Sequence, residues 1–388
     1  MKKKIAILGS TGSIGQTTFN IIKKNKQDFE IVFLTTNKNI KVILQQAKAL
    51  KVKNILVCSK PHFIKVKKEC KSKKINIFNN FKDLKKIVKK KIDYTMCSIT
   101  GLAGLKPTLD CIKLSKTVAI ANKESIICGW NLIQKELIKN KTKFIPVDSE
   151  HFSIWSLLNS SKNNEVEKIV ITASGGPFIN LPQKKFKNIK AKSAIKHPRW
   201  NMGKKISVDS STMMNKVFEL IEAQRIFNID IRRFEILTHP KSYLHAIIKF
   251  KNGLIKMLLH DTSMSIPIFN SLYFQNPKKI KSNKINLKEI NNLNLKKPNI
   301  KKFPLLKIIK KIPNKISLFE TVVITANDEL VNHFLNGDIQ YLEIQKYLNK
   351  ILNLNGFKRY RFKKPRNIKE ITSLSEEVRL KTTNLCIR

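Results

Sequence analysis

The chain has 388 residues, 76 Lys and Arg against 27 Asp and Glu, and a formal net charge of +49 at pH 7. A hydrophobic fraction of 42% excludes a disordered polyelectrolyte and supplies apolar side chains for two or three cores. Lysine is spread from end to end rather than gathered with arginine and aromatics on one face, so the charge reads as compositional drift and not as a nucleic-acid partner.

The amino-terminal MKKKIAILGS mimics a signal sequence, but its apolar run is too short and ends in a glycine loop. Residues 4–9 instead predict a buried strand, followed by GSTGSIG and a helix carrying Ile14, Thr18, Ile21 and Ile22 on one face. Gly9, Gly12 and Gly15 in this strand–turn–helix context let backbone amides approach a pyrophosphate at the helix N-terminus. The next strand, 29–36, ends in Asn37, Lys38 and Asn39 without the acid that holds the ribose hydroxyls of NAD. A lysine there suits the 2′-phosphate of NADP.

Strands at 54–59, 93–100 and 117–122 alternate with helices, one of them marked by Phe81, Leu84, Ile87 and Val88. The alternation predicts a Rossmann-like, doubly wound parallel sheet with its site at the strand C-ends. Asn122, Lys123 and Glu124 fall at one such end. Another is FIPVDSE, where a strand over Phe144–Val147 runs out into Asp148, Ser149 and Glu150. On an extended segment Asp148 and Glu150 point the same way, and two adjacent carboxylates call for a divalent cation such as Mg²⁺ or Mn²⁺. In a chain so poor in acids, that pair stands out.

A helix from His151 and a strand over 167–174 lead into 175–205, a long Gly- and Pro-started segment ending in HPRWNMG, which reads as a lid. Helix 210–227 follows, with Asp209 or Ser210 as N-cap; its Glu219 and Glu222 share a face and offer a third carboxylate. Strands at 234–240, 243–250 and 254–261 predict an antiparallel sheet, turned by Asn252-Gly253 and suited to self-association. Polar, Lys- and Asn-rich 275–300 reads as a linker, and 316–336, 338–352 and 368–380 read as helices. The fold class is therefore α/β: a dinucleotide-binding domain over 1–149, a central α+β catalytic and dimerisation domain over 150–274, the linker, and a small helical C-terminal domain over 301–388.

The motifs GSTGSIG, ANKES, PVDSEH, SGGPF, HPRWNMGKKISVDSSTMMNK, EAQRIFN and HPKSYLHAII resemble, in order and spacing, the 1-deoxy-D-xylulose 5-phosphate reductoisomerase family across essentially the whole chain. The resemblance implies NADPH, a divalent cation (Mg²⁺, Mn²⁺ or Co²⁺) and a phosphorylated sugar substrate, rearranged and reduced to 2-C-methyl-D-erythritol 4-phosphate for isoprenoid synthesis. It implies Asp148, Glu150 and Glu219 as metal ligands, with Ser149 and Lys123 as substrate contacts beside them. Ser174, Ser210, Asn215 and Lys216 would form the phosphate pocket, closed by His197, with Trp200 and Met202 on the lid. Thr11, Gly12, Ser13 and Ile14 would hold the pyrophosphate, Lys38 and Asn39 the adenosine end, and Asn122, Glu124, Met202 and Gly203 the rest of the cofactor. A homodimer is also implied.

Four departures from the family pattern are visible. They are Asn37 in place of a common Gly, Val217-Phe218 in place of Gly-Leu, the loss of the acid and arginine usually near Met264, and TANDE (325–329) in place of NAANE. A semialdehyde dehydrogenase would need an activated cysteine, and Cys128 has no evident base. The six cysteines, Cys58, Cys70, Cys97, Cys111, Cys128 and Cys386, form no CxxC or zinc pattern, which fits a reducing cytoplasm. No apolar run is long enough to span a membrane.

Overall fold

Strand β1 (Lys3–Leu8) is buried from Ile5 to Leu8 and forms the centre of the first sheet. The other strands are β2 (Phe29–Thr36), β3 (Asn54–Val57), β4 (Asn76–Phe78), β5 (Tyr94–Cys97), β6 (Thr117–Ile120) and β7 (Lys143–Pro146). Their order is β4-β3-β2-β1-β5-β6-β7, all parallel. Burial on both faces explains why the strands are mostly apolar. The strand order reverses direction at β1, so the loop after β1 lies at the switch point where α/β sheets bind ligands. The chain is Rossmann-like here, as its alternation predicts. This computed structural model describes residues 1–70, 75–159, 165–200 and 202–386.

The sheet belongs to the first of two compact units, made of Met1–Ser125, Leu132–Phe152 and Met264–Lys281; the second contains Ile126–Asn131, Ser153–Ser263 and Ser282–Arg388. In the first unit, helix α1 (Ser13–Lys24) follows β1 and α2 (Ile40–Ala49) follows β2. Helix α3 (Lys123–Lys139) follows β6 and kinks at Gly129. Helix α4 (Ser149–Leu158) starts directly after β7. Among the described residues, Phe81–Ile87 forms only a short 3-10 turn and one helical turn, with Leu84 alone fully buried.

The second unit is built on a four-stranded sheet of β8 (Val166–Ala173), β9 (Phe234–Thr238), β10 (Leu244–Phe250) and β11 (Ile255–Leu259), ordered β11-β10-β8-β9. The expected hairpin is present: β10 and β11 are antiparallel and Gly253 turns with φ +86°. The expectation that 234–240 also lies antiparallel is corrected, because β9 pairs parallel with β8 and never meets β10. Helix 210–227 is likewise two helices, α5 (Lys204–Ser211) and α6 (Met214–Phe227), broken where Met213 adopts a left-handed φ of 64°. Asp209 and Ser210 therefore lie inside α5 and cap nothing.

Helices α7 (Phe319–Asn336), α8 (Tyr341–Leu352) and α9 (Ile368–Cys386) complete this unit. Arg225 of α6 forms a buried ion pair with Glu320 of α7. The stretch after the first compact unit's last segment is largely exposed, yet Lys296 exchanges backbone hydrogen bonds with Thr238, extending the β9 edge. Among the described residues no helix is long and apolar enough to cross a membrane, and all six cysteines are free.

Candidate active site

The glycine loop is shaped by close approach. Gly9 has φ +72°, and a Cβ on Gly15 would stand 2.2 Å from the Gly9 carbonyl oxygen. Only glycine lets α1 begin so near the end of β1. The loop is tied to β2: the Gly9 and Ser10 amides donate to Thr35, and the hydroxyls of Thr11 and Thr36 are 2.8 Å apart. Gly12 is the N-cap of α1 and offers no side chain, so the first-turn amides at exposed Ser13 and half-buried Ile14 have no cap, the kind of helix start that can receive an anion. At the end of β2, Lys38 is exposed, while the Asn39 side chain accepts from the Val42 amide and caps α2.

At the ends of β6 and β7 the charged groups converge. Lys123 Nζ lies 3.1 Å from Asp148 Oδ2, and His151 Nδ1 lies 3.5 Å from Asp148 Oδ1. Burial alone would raise the Asp148 carboxyl, but Lys123 and His151 hold it well below the usual carboxylate range. Ser149 donates to Glu150 Oε2 at 2.6 Å. The extended-strand reading of these acids is corrected. The Asp148 carbonyl already accepts the Phe152 amide, so Glu150 lies in the first turn of α4. Carboxylates at a helix N-terminus are favoured by the exposed amides there.

Asn122 is buried, and its side chain ties local structure together. Its Oδ1 accepts from the Ser125 amide and its Nδ2 donates to the Ile99 and Gly101 carbonyls, tying the 99–104 loop to α3. Glu124 is buried in the first turn of α3.

In the second unit, the end of β8 gathers hydrogen-bond donors. Ser174 Oγ is 3.0 Å from His197 Nε2 and accepts from the Gly176 amide. His197 Nδ1 accepts from the amides of Trp200 at 2.9 Å and Arg199 at 3.1 Å. With Nδ1 an acceptor, the neutral ring carries its proton on Nε2 and donates it toward Ser174. Burial, and then the charge of Lys216, push the His197 imidazole down to about 4. Lys216 is buried, donates to the Thr172 carbonyl at 2.7 Å and pairs with Glu219, which also accepts from Asn215. Ser210 is half-buried in α5, and its carbonyl packs so close to Gly176 that a Cβ there would stand 2.5 Å away.

Trp200 packs edge-on against His245, whose ring stacks on His260 at 3.7 Å. Met202 is half-buried and Gly203 caps α5; Asn201 lies outside the described residues. The 175–205 segment is not uniform. Phe178, Phe186, Ile189 and Ala194 are buried, and Phe178 and Phe186 pack edge-on against Tyr341. Ile195–Gly203 has no buried side chain among its described residues, although His197 and Trp200 make the contacts given above.

Sequence reasoning assigned no role to His151, although PVDSEH contains it; it is fully buried beside Asp148. Asp209, read there only as a helix cap, is buried at 1% exposure and held by Asn327 of α7. TANDE was the available signal for Asn327.

Three family models match the chain. One described as 1-deoxy-D-xylulose 5-phosphate reductoisomerase spans residues 5–129. That enzyme's C-terminal domain spans 144–227, and a DXP reductoisomerase C-terminal domain spans 259–381. A protein of that name from Pelagibacter ubique (strain HTCC1062) is 57% identical over 387 residues, 99% of this chain and 100% of the relative. One from Clostridium perfringens (strain 13 / Type A) is 35% identical over 380 residues, 97% of this chain and 98% of the relative. Among solved structures, the Zymomonas mobilis enzyme in complex with NADPH is 29% identical, with a TM-score of 0.88, covering 100% of this chain and 99% of that one. A DOX-P reductoisomerase in complex with NADPH, fosmidomycin and magnesium is 28% identical, with a TM-score of 0.91, covering 99% and 98%.

Proposed function

The chain belongs to the 1-deoxy-D-xylulose 5-phosphate reductoisomerase family, and from that membership we propose that it converts 1-deoxy-D-xylulose 5-phosphate into 2-C-methyl-D-erythritol 4-phosphate with NADPH and a divalent cation (Mg²⁺, Mn²⁺ or Co²⁺). The observation that carries this reading is Asp148, a carboxylate held ionised by Lys123 at the C-terminal end of the parallel sheet. Hard oxygen donors of this kind suit Mg²⁺ and Mn²⁺.

In this reading Asp148, Glu150 and Glu219 hold the cation. When bound, the cation polarises the substrate ketone and NADPH supplies the hydride. Lys123 keeps Asp148 charged and, with Ser149, meets the substrate beside it. Ser174, Ser210, Asn215 and Lys216 receive the phosphate, to which neutral His197 donates through Nε2. Phosphate binding lies away from the bond changes, so its energy is available to close the 175–205 lid and bring Trp200 and Met202 over the site, excluding water. Thr11, Gly12, Ser13 and Ile14 hold the pyrophosphate, Lys38 and Asn39 the adenosine end, and Asn122, Glu124, Met202 and Gly203 the remainder of NADPH.

The proposal extends to a cytoplasmic homodimer divided at 1–149, 150–274, 275–300 and 301–388. Edge strand β11 supports association, because Leu254, Ile255 and Met257 are exposed at 59%, 57% and 46%. The free cysteines fit a reducing compartment. The test is NADPH oxidation with 1-deoxyxylulose 5-phosphate, with and without Mg²⁺ or Mn²⁺. Metal-dependent oxidation is expected; undiminished turnover in a chelator, or none with either metal, defeats the proposal.

A further inference from the structure

We infer that Asn327 and Tyr341, on the C-terminal helices, are positioning residues for phosphate recognition, because they fix the pose of α5 and so of Ser210. The inference rests on the phosphate pocket proposed above. Asp209, immediately before Ser210, is a carboxylate at 1% exposure. It accepts from Asn327 Nδ2 at 2.7 Å, and Asn327 is fully buried. It also pairs at 3.0 Å with Lys205, one turn earlier, which reaches Asp328 at 2.8 Å. Immediately after Ser210, the Ser211 carbonyl accepts the Tyr341 hydroxyl at 2.7 Å. The Tyr341 ring is itself wedged by Phe178, Phe186 and Phe334, so its hydroxyl has little freedom.

Ser210 is thus flanked on both sides by residues bonded to α7 and α8, while Gly176 packs against its own carbonyl. A buried carboxylate that loses a donor must find another or reach water. For Asp209 the available relief is a shift of α5, and any such shift carries Ser210 with it. The C-terminal helices therefore act on phosphate recognition through α5, without touching the substrate themselves.

Asn327→Ala and Tyr341→Phe test this. The quantities are KM for 1-deoxyxylulose 5-phosphate, competitive inhibition by inorganic phosphate, NADPH affinity and the thermal midpoint. Loss of the donor to the Asp209 carboxylate in Asn327→Ala should raise KM and the phosphate inhibition constant together by about tenfold, and loss of the donor to the Ser211 carbonyl in Tyr341→Phe by about threefold. NADPH affinity should stay unchanged and the midpoint should move by only a few degrees. Unchanged phosphate inhibition in folded variants overturns the inference. So does a parallel decline of NADPH affinity, KM and midpoint, which marks a purely structural role. Should Asn327→Ala not fold, Tyr341→Phe, which lacks a single oxygen, decides by the same criterion. A wild-type protein with neither turnover nor inhibition by phosphate would defeat the phosphate-pocket reading itself; normal wild-type behaviour with unaffected variants defeats only this inference.

Discussion

The Nζ of Lys123 stands 3.1 Å from Oδ2 of Asp148, with the side chains 8% and 15% exposed. The two residues follow adjacent strands β6 and β7. At this depth the pair is screened far less than a surface ion pair, and each charge depends on the other. Replacing Lys123 by Met keeps the stem and removes the charge. Asp148 then loses its main counter-charge, and stability should fall by about 2 kcal/mol, below the usual cost of breaking a fully buried pair because His151 remains. Turnover should fall at least about a hundredfold, an effect of about 2.7 kcal/mol on the barrier. Chemical denaturation and steady-state kinetics measure the two, and near-wild-type turnover would remove Lys123 from the site.

Metal affinity gives a test that needs no catalysis. Asp148→Asn, Glu150→Gln and Glu219→Gln each replace a charged oxygen of a proposed ligand by a neutral amide of the same shape. Mn²⁺ binding, followed by paramagnetic resonance or calorimetry without substrate or NADPH, should weaken by about tenfold or more in each. Three variants that bind Mn²⁺ like the wild type would refute the ligand set.

His197 gives a pH prediction. Its imidazole is pushed down to about 4 from an ordinary 6.5. Between those values the unfolded chain binds the proton and the folded one does not, so stability contributed by His197 is complete above about 6.5 and lost as pH falls toward 4. Histidine ring NMR should show the Nε2–H tautomer at neutral pH and a midpoint near 4 in the free protein. A midpoint near 6.5, or the opposite tautomer, contradicts the hydrogen-bond pattern.

Gly15 carries a steric prediction. A methyl group there would stand 2.2 Å from the Gly9 carbonyl oxygen, which belongs to backbone and cannot rotate away. Gly15→Ala should destabilise the protein by roughly 2 kcal/mol, in the range of overpacking, and weaken NADPH binding by more than tenfold. Gly356→Ala, where nothing lies within 4 Å, is the control and should bind NADPH normally. Equal NADPH affinity in both variants would detach the glycine loop from the cofactor.

The parallel sheet was legible because short, mostly apolar strands alternate with helices, and burial on both faces favours such strands. Asp148 and Glu150 were legible as a pair, but for the wrong local reason. The sequence DSEH starts a helix, and an Asp at an N-cap was the cue that strand periodicity overrode. The parallel pairing of β8 with β9 joins segments about sixty residues apart, and no local signal specifies it. The break at Met213 was invisible for a related reason. An αL residue other than Gly or Asn is held by tertiary packing and not by its own preference. Asp209 looked like a cap because the chain alone does not reveal that Asn327 waits beside it.

Phe178, Phe186 and Ala194 are buried on one side of Ile195–Gly203, and α5 begins directly on the other. Both flanks of this stretch are thus already packed. Ordering a residue costs about 1–2 kcal/mol of backbone entropy, so anchoring Gly175–Ala194 in advance removes most of that cost from the binding step. In the closure proposed above, so short a segment would keep Trp200 near its place over the substrate and limit the volume it must search. The aromatic contacts of Tyr341 with Phe178 and Phe186 therefore reach beyond stability. On the lid reading proposed above, a shorter closing segment leaves more of the substrate's binding energy to appear as affinity and rate.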